Sequence, residues 1–392
     1  MFPKPMSDEP SPPEPRFVRS SLMLGNLVTG IAVIGPTAML IQLADGLQVT
    51  IRAAGLLVTF GAVVVCVGSP LVAWATSRIE RRSLLTGVLI IIALGHLASA
   101  LAPNYGALLA IRVVMLAAAA VFTPQAASTV GLIVPVGERA AAIAYVFLGW
   151  TLAVAVGLPL VTFAAAHVGW RETYAAIGVL AALVAWLHWA RLPTGLIGAP
   201  ISLASWRALA GNRLILLLLL ITALQTSGQF AVITYLGPLL TRLAGAGARE
   251  IATFFAIFGA FGFIGNVIAT RIVGNIGGLV TSVLFLVSML LGAVLWTFGA
   301  PYLLAMGAGI LLWGLGFAAV NSMQQGRLVA AAPELSSVSV ALNTSALYVG
   351  QAAGSAIGGT LFAQDLAPLT GYVAIGFFVV ALGVLGLTRR PA

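Results

Sequence analysis

Arg112 is the one charged residue that stands well inside a long apolar stretch of this 392-residue chain. Holding a charge at bilayer depth costs about 2.5–3.5 kcal/mol on insertion scales, so a residue kept there is a functional candidate by default. Two readings are open. Arg112 carries a functional role, or it lies about two turns from the outer end of its segment and reaches up to the headgroups. Gln42 and Asp45, near the outer end of the first apolar run, are its expected partners, because that run crosses in the opposite direction.

The acids are Asp8, Glu9, Glu14, Asp45, Glu80, Glu138, Glu172, Glu250, Glu334 and Asp365, and each falls in a tail, a connection or a helix end. None is placed at mid-membrane, where burial would tune a carboxyl group to load and release protons. Proton coupling must then use Asp45, tuned by Arg112, or His96, or be absent. His96 itself reads as a packed helix histidine. Enzyme chemistry finds no support: the chain has no metal-ligand cluster, no Gly-x-Ser-x-Gly elbow and no Gly-x-x-x-x-Gly-Lys phosphate loop. Cys66 is the only cysteine, so neither an intrachain disulfide nor a cysteine metal site is expected. No cofactor is implied.

The elements that must position these residues are membrane helices. The chain is 60% hydrophobic and 7% charged, with mean hydropathy +1.09, where a soluble chain carries about 25% charged residues. Apolar runs of the length that crosses a roughly 30 Å hydrocarbon core repeat at 21–43, 53–76, 83–102, 106–133, 140–166, 171–190, 213–240, 250–273, 279–299, 302–326, 336–363 and 368–388. Each run is continuously apolar, without the alternation of a barrel strand. The expectation is an all-α membrane protein with twelve transmembrane helices. Of the 19 basic residues, Arg112 lies within a span and Arg52, Arg171, Arg242 and Arg249 fall on one side; all the others share the side of the termini. Short loops rich in Lys and Arg stay cytoplasmic, so both termini are expected there. The net charge of +9 is read as topology rather than nucleic-acid binding, since no basic domain holds it together.

Several unusual features recur at an offset of about 200 residues, the mark of a duplicated unit. Gly35-Pro36 in span 1 matches Gly237-Pro238 in span 7. Arg112 in span 4 falls opposite Trp313 in span 10, and the stripe Gly149, Ala153, Gly157 of span 5 matches Gly350, Gly354, Gly358 of span 11. Small residues at i, i+4, i+8 let helix backbones approach closely, which suits two halves that rock against each other. Pro36, Pro159 and Pro238 permit kinks. The expected organisation is a disordered tail over 1–20, one six-helix bundle over 21–191, a linker over 192–212 and a second bundle over 213–392.

Neutral polar residues supply the expected cavity lining: Gln225, Gln229 and Tyr235 in span 7; Trp313, Phe317, Asn321 and Gln324 in span 10; Asn343 and Gln351 in span 11. Met115 and Thr123 share a face with Arg112. Such a cavity suits neutral or weakly polar molecules that need a few hydrogen bonds.

Over about 20–388 the chain resembles the twelve-span drug:proton antiporter branch of the major facilitator superfamily, in particular the bacterial arabinose-efflux and chloramphenicol-exporter-like proteins. The anchors are the run from Gly68 to Arg82 between spans 2 and 3, Arg112, Gly149-x-x-x-Ala153-x-x-x-Gly157-x-Pro159, and Gly169-Trp170-Arg171. The resemblance implies two pseudo-symmetric six-helix bundles, alternating access at a bacterial inner membrane, proton exchange, monomeric action and, from the span 5 pattern, export. It also implies that Arg112 belongs to the coupling or substrate site, and a gate at Ser77, Arg78, Glu80, Arg81 and Arg82. The family carries an Asp where Ser77 stands and a Gly where Glu80 stands, so either Glu80 substitutes among the arginines or the gate is weaker; otherwise the arginines only fix topology. The expected function is secondary export of a small organic molecule such as a drug, nucleoside, sugar or metabolite. A facilitative uniporter or uptake permease, and a ligand sensor without turnover, remain the alternatives.

Overall fold

The computed structural model describes residues 15–76, 78–135, 139–197, 211–332 and 336–388. Among them there are helices and no strands. Ten segments are long and apolar enough to cross a membrane. One of these, Ala248–Gly299, is two spans joined at Gly277, whose φ of +79° only glycine adopts without strain. A further helix, Ser336–Ala363, is span 11, whose Ser, Asn, Gln and Gly residues dilute its hydropathy. The twelve expected spans are therefore present. The first helix begins at Pro15, inside the stretch expected to be tail.

Prolines break the spans where their missing N–H groups leave carbonyls free. Span 1 runs Pro15–Ala38, turns at Met39 and continues as Leu40–Gly46, three residues past Pro36. Span 5 runs Arg139–Leu152, passes through a π-helical turn Ala153–Gly157 and resumes as Leu158–His167. There Pro159 cannot donate, and the Leu158 N–H reaches five residues back to Ala153 O. Span 7 is Arg213–Ile233 followed by Leu236–Ala244, with Pro238 in the first turn of the second piece, where its lost donor is harmless. Span 4 is likewise split into Tyr105–Ala119 and Phe122–Ile133.

The small-residue stripes pack within each half, not between the halves as their smoothness suggested. A Cβ on Gly149 would stand 2.1 Å from Met23 O, and Gly157 meets Ile31, so span 5 lies on span 1. By the same relation Cβ atoms on Gly350, Gly354 and Gly358 would stand 2.4, 2.2 and 2.6 Å from the carbonyls of Ala223, Ser227 and Ala231, so span 11 lies on span 7. The duplication is thus visible as one packing solution used twice.

The halves meet elsewhere. Span 2 packs along span 11, span 5 packs on span 8, and the outer pieces of spans 1 and 7 touch. Hydrogen bonds cross this seam on both sides of mid-span: Ser345 Oγ of span 11 donates to Cys66 O of span 2 at 3.3 Å towards the termini, and others lie nearer the end of the spans away from the termini, the far end. Thr59 Oγ1 donates to Ser355 Oγ at 3.0 Å, and Gly259 abuts the Ala155 backbone. The piece Phe122–Ile133 of span 4 packs chiefly on helices of its own half.

Candidate functional site

Arg112 is 1% exposed and points into the first half. Its Nη1 donates to Ala32 O and its Nη2 to Val33 O, each at 3.3 Å. Ala32 is four residues before Pro36, so its carbonyl is the one whose helical donor proline removes. The guanidinium therefore fills the kink of span 1. Its Nε has no partner, and the buried Tyr174 hydroxyl of span 6 lies within electrostatic reach. His96 of span 3 stacks at a tilt on Tyr174, ring centroids 5.7 Å apart, with its Nδ1 on Ile92 O.

The expected partners do not join this cluster. Asp45 is exposed at the far end, about three helical turns beyond Val33. Gln42 is half-buried and lines a separate far-end pocket of about 260 Å³ with Thr37, Gly237 and Pro238. The kinked helix offers Arg112 carbonyls nearer than either side chain. Met115 also departs from expectation: it packs into the space left by Gly95 of span 3.

Thr123 lies in a polar chain that the sequence reading did not assemble. Its Oγ1 donates to Asn26 Oδ1 at 2.7 Å and accepts from Trp150 Nε1 at 3.1 Å, while Asn26 Nδ2 donates to Val146 O. Asn26, a buried amide in an apolar run, carried the same signal as Gln225 and was passed over. The second half has a chain on spans 7, 11 and 10: Thr222 Oγ1 donates to Asn343 Oδ1 at 2.7 Å, and Asn343 Nδ2 to Asn321 Oδ1 at 3.2 Å.

Beside that second chain stand amides with unused valences. Gln225 and Gln229 are each 1% exposed with Oε1 unpartnered; Gln351 Nε2, both amide atoms of Gln324, and Trp313 Nε1 are unpartnered too. Gly350 abuts Ala223 and Thr226, which sets Gln351 and Gln225 at one depth on adjoining helices. Trp313 turns its ring edge-on to Phe378, and Phe317 stacks on Phe258 at 5.1 Å, so these two aromatics brace helices of their own half. Tyr235 donates to Ser355 O at 3.0 Å and stacks on Phe362. Its hydroxyl also fills the space beside Gly55 of span 2, so it packs across the seam between the halves.

Ser77 lies outside the described residues, as do residues 333–335. Arg78 is exposed and Arg81 is 3% exposed with Nε and Nη1 unpartnered. Glu80 faces the linker rather than a charge latch: its carboxylate accepts from Ser83 Oγ at 2.6 Å and from the Gly195 N–H at 2.8 Å, and the Arg81 N–H donates to Leu196 O. Those hydrogen bonds, with the Arg82 charge, hold Glu80 below the usual carboxylate range.

Twelve spans in two like-packed halves, with a buried arginine and a set of neutral amides, define a membrane transporter of the two-bundle type. The chain belongs to the Major Facilitator Superfamily, whose family model matches residues 22–355. It is 28% identical over 380 residues to the inner membrane transport protein YdhP of Escherichia coli K12, covering 95% of this chain and 96% of that one. It is 30% identical over 353 residues to a probable sugar efflux transporter of Haemophilus influenzae, covering 90% and 87%. Its fold is that of the D-xylose-proton symporter, with TM-score 0.75 at 14% identity over 94% of this chain and 97% of that one.

Proposed function

We propose that this chain exports a small, neutral, polar organic molecule, with sugars the leading class, in exchange for protons across a bacterial inner membrane, acting as a monomer with both termini cytoplasmic. The observation that carries the reading is the group of buried, unpartnered amides on spans 7, 10 and 11. A buried polar group without a partner costs about 1–3 kcal/mol, so a ligand rich in hydroxyl or carbonyl groups recovers what the empty site forfeits. Among the described residues no carboxylate is buried, and a dicationic substrate would meet no counter-charge there. The relatives named as probable sugar efflux transporters support both direction and class.

Proton exchange runs through the Arg112–Tyr174–His96 cluster in this reading. His96 faces Arg112 from span 4 and Tyr174 from span 6, and one turn away Arg171 of span 6 is held by the carbonyls of Ala100 and Ala102. A facilitative uniporter is the second reading, favoured by the missing buried acid.

Reconstitution into vesicles separates the two. With an imposed pH gradient, accumulation of a radiolabelled sugar from a panel that collapses with a protonophore supports exchange; equilibration indifferent to the gradient supports uniport and overturns it.

A further inference from the structure

We infer that spans 3 and 6 form a site for one acidic phospholipid, with its acyl chain in a groove on the outer wall of the first half and its phosphate on Arg82. The groove, of about 610 Å³, runs between the two helices and is lined by Thr86, Ile90, Leu94 and Leu97 of span 3 and by Trp186 and Trp189 of span 6. From Thr86 to Leu97 it extends about 16 Å at the helical rise, half of the hydrocarbon thickness and so the depth of one leaflet. Gly87 lines it with open space above its Cα, which keeps the floor free. Trp186 and Trp189 are 70% and 53% exposed at the membrane-surface end, the level that amphipathic rings favour.

Two polar features at that end mark the occupant as a lipid with an anionic head rather than any hydrocarbon chain. The Arg82 guanidinium lies over the Trp189 ring at 4.3 Å, which fixes a positive charge at the mouth of the groove, and its Nε is buried without a partner. One turn deeper, the Thr86 hydroxyl is buried in the groove wall and also lacks a partner. A phosphate at Arg82 would set the glycerol ester oxygens at Thr86 and send the chain along Ile90, Leu94 and Leu97. Among the described residues the acid nearby is Glu80; its carboxylate is hydrogen-bonded to Ser83 and the Gly195 N–H, so it attracts Arg82 without forming an ion pair with it. Arg78 is exposed at the same end of the bundle, and Arg191, two residues past Trp189, lies over Phe17 of span 1.

The test is native mass spectrometry of the purified full-length chain with phosphatidylglycerol or phosphatidylcholine. The wild type should retain phosphatidylglycerol several-fold better. Arg82→Gln should weaken that retention about five-fold, the equivalent of about 1 kcal/mol per interfacial arginine, and leave phosphatidylcholine unchanged. Arg171→Gln, which removes the far-end arginine stacked on Trp170, should preserve the preference. Thr86→Val, a conservative change that spares the fold, should weaken both lipids, because it removes the contact to the shared ester. Equal retention of the two lipids by the wild type, an undiminished preference in Arg82→Gln, or a Thr86→Val variant that binds both as before would overturn the assignment.

Discussion

Arg112 and Pro36 act on the same carbonyl: the proline strips Ala32 O of its helical donor, and the guanidinium 3.3 Å away supplies another. A charged donor to a carbonyl contributes about 1.5–3 kcal/mol, and here it comes from span 4 to a bend in span 1. The bend and the charge are therefore one device.

Arg112→Ala should abolish vesicle transport while the protein still inserts. Pro36→Ala returns the N–H to Ala32 O, so in that background Arg112→Ala should cost less stability than it does alone. A double-mutant cycle on thermal unfolding in detergent reads the difference, expected at about 1 kcal/mol or more for residues sharing a partner. Additive effects would show that the two are independent.

Where span 8 crosses span 5 near mid-membrane, a Cβ on Gly259 would stand 2.2 Å from Ala155 Cα, a backbone atom with nowhere to go. Gly259→Ala should therefore force spans 5 and 8 apart at their crossing and loosen the seam between the halves up to the far end. Overpacking of this kind costs about 1–3 kcal/mol, which shifts the ratio of the two access states by about five- to a hundred-fold. Gln42→Cys in a Cys66→Ser background reports it: labelling by a membrane-impermeant thiol reagent applied at the far side should rise. Unchanged labelling would mean that the seam is not the far-side gate.

The two kinds of amide in the second half should separate by their responses. Asn343 is satisfied by Thr222 and Asn321, so Asn343→Leu should lower the melting temperature by taking the donor from Asn321 Oδ1 and leaving the Thr222 hydroxyl only its bond to Leu218 O. Gln225 has an idle Oε1, so Gln225→Leu should hold or raise the melting temperature yet raise the KM for substrate about ten-fold. A Gln225→Leu variant that is less stable with unchanged KM would mark this amide as structural.

His96→Gln tests the coupling cluster. Loss of a proton carrier should abolish gradient-driven accumulation and spare substrate counterflow, which needs no net proton movement. Accumulation at the wild-type level would remove His96 from the route.

How far the sequence could be read depended on the range of the interaction. Hydrophobic runs fix the spans locally, and the stripes at 149–157 and 350–358 disclosed the duplication because small-residue spacing is a local code. What the stripes touch is not local: Gly149 faces Met23 and Gly354 faces Ser227, and nothing in either run names its neighbour. Arg112 stood out by its cost in the membrane, but its partners are backbone atoms freed by a proline in another span, invisible to a search for opposite charge. Asn26 was legible as an amide in an apolar run, but its bond to Thr123, and the bond of Trp150 to the same hydroxyl, became legible only once spans 1, 4 and 5 were packed together.

Glu80 supplies the last prediction. The major facilitator resemblance placed it in a gate with Arg78, Arg81 and Arg82, yet its carboxylate holds Gly195, at the start of the connection between the halves. Because hydrogen bonds from Ser83 and Gly195 and the Arg82 charge depress its pKa, the carboxylate stays ionised and the clamp persists throughout the neutral range. It is lost only as pH falls below the usual carboxylate values. Glu80→Ala should therefore speed amide exchange at Gly195 at neutral pH. Glu80→Gln keeps an oxygen for that N–H and should retain most of the protection, although it gives up the attraction to Arg82. Equal exchange at Gly195 in the wild type and Glu80→Ala would show that the linker is held by the Arg81–Leu196 backbone bond alone.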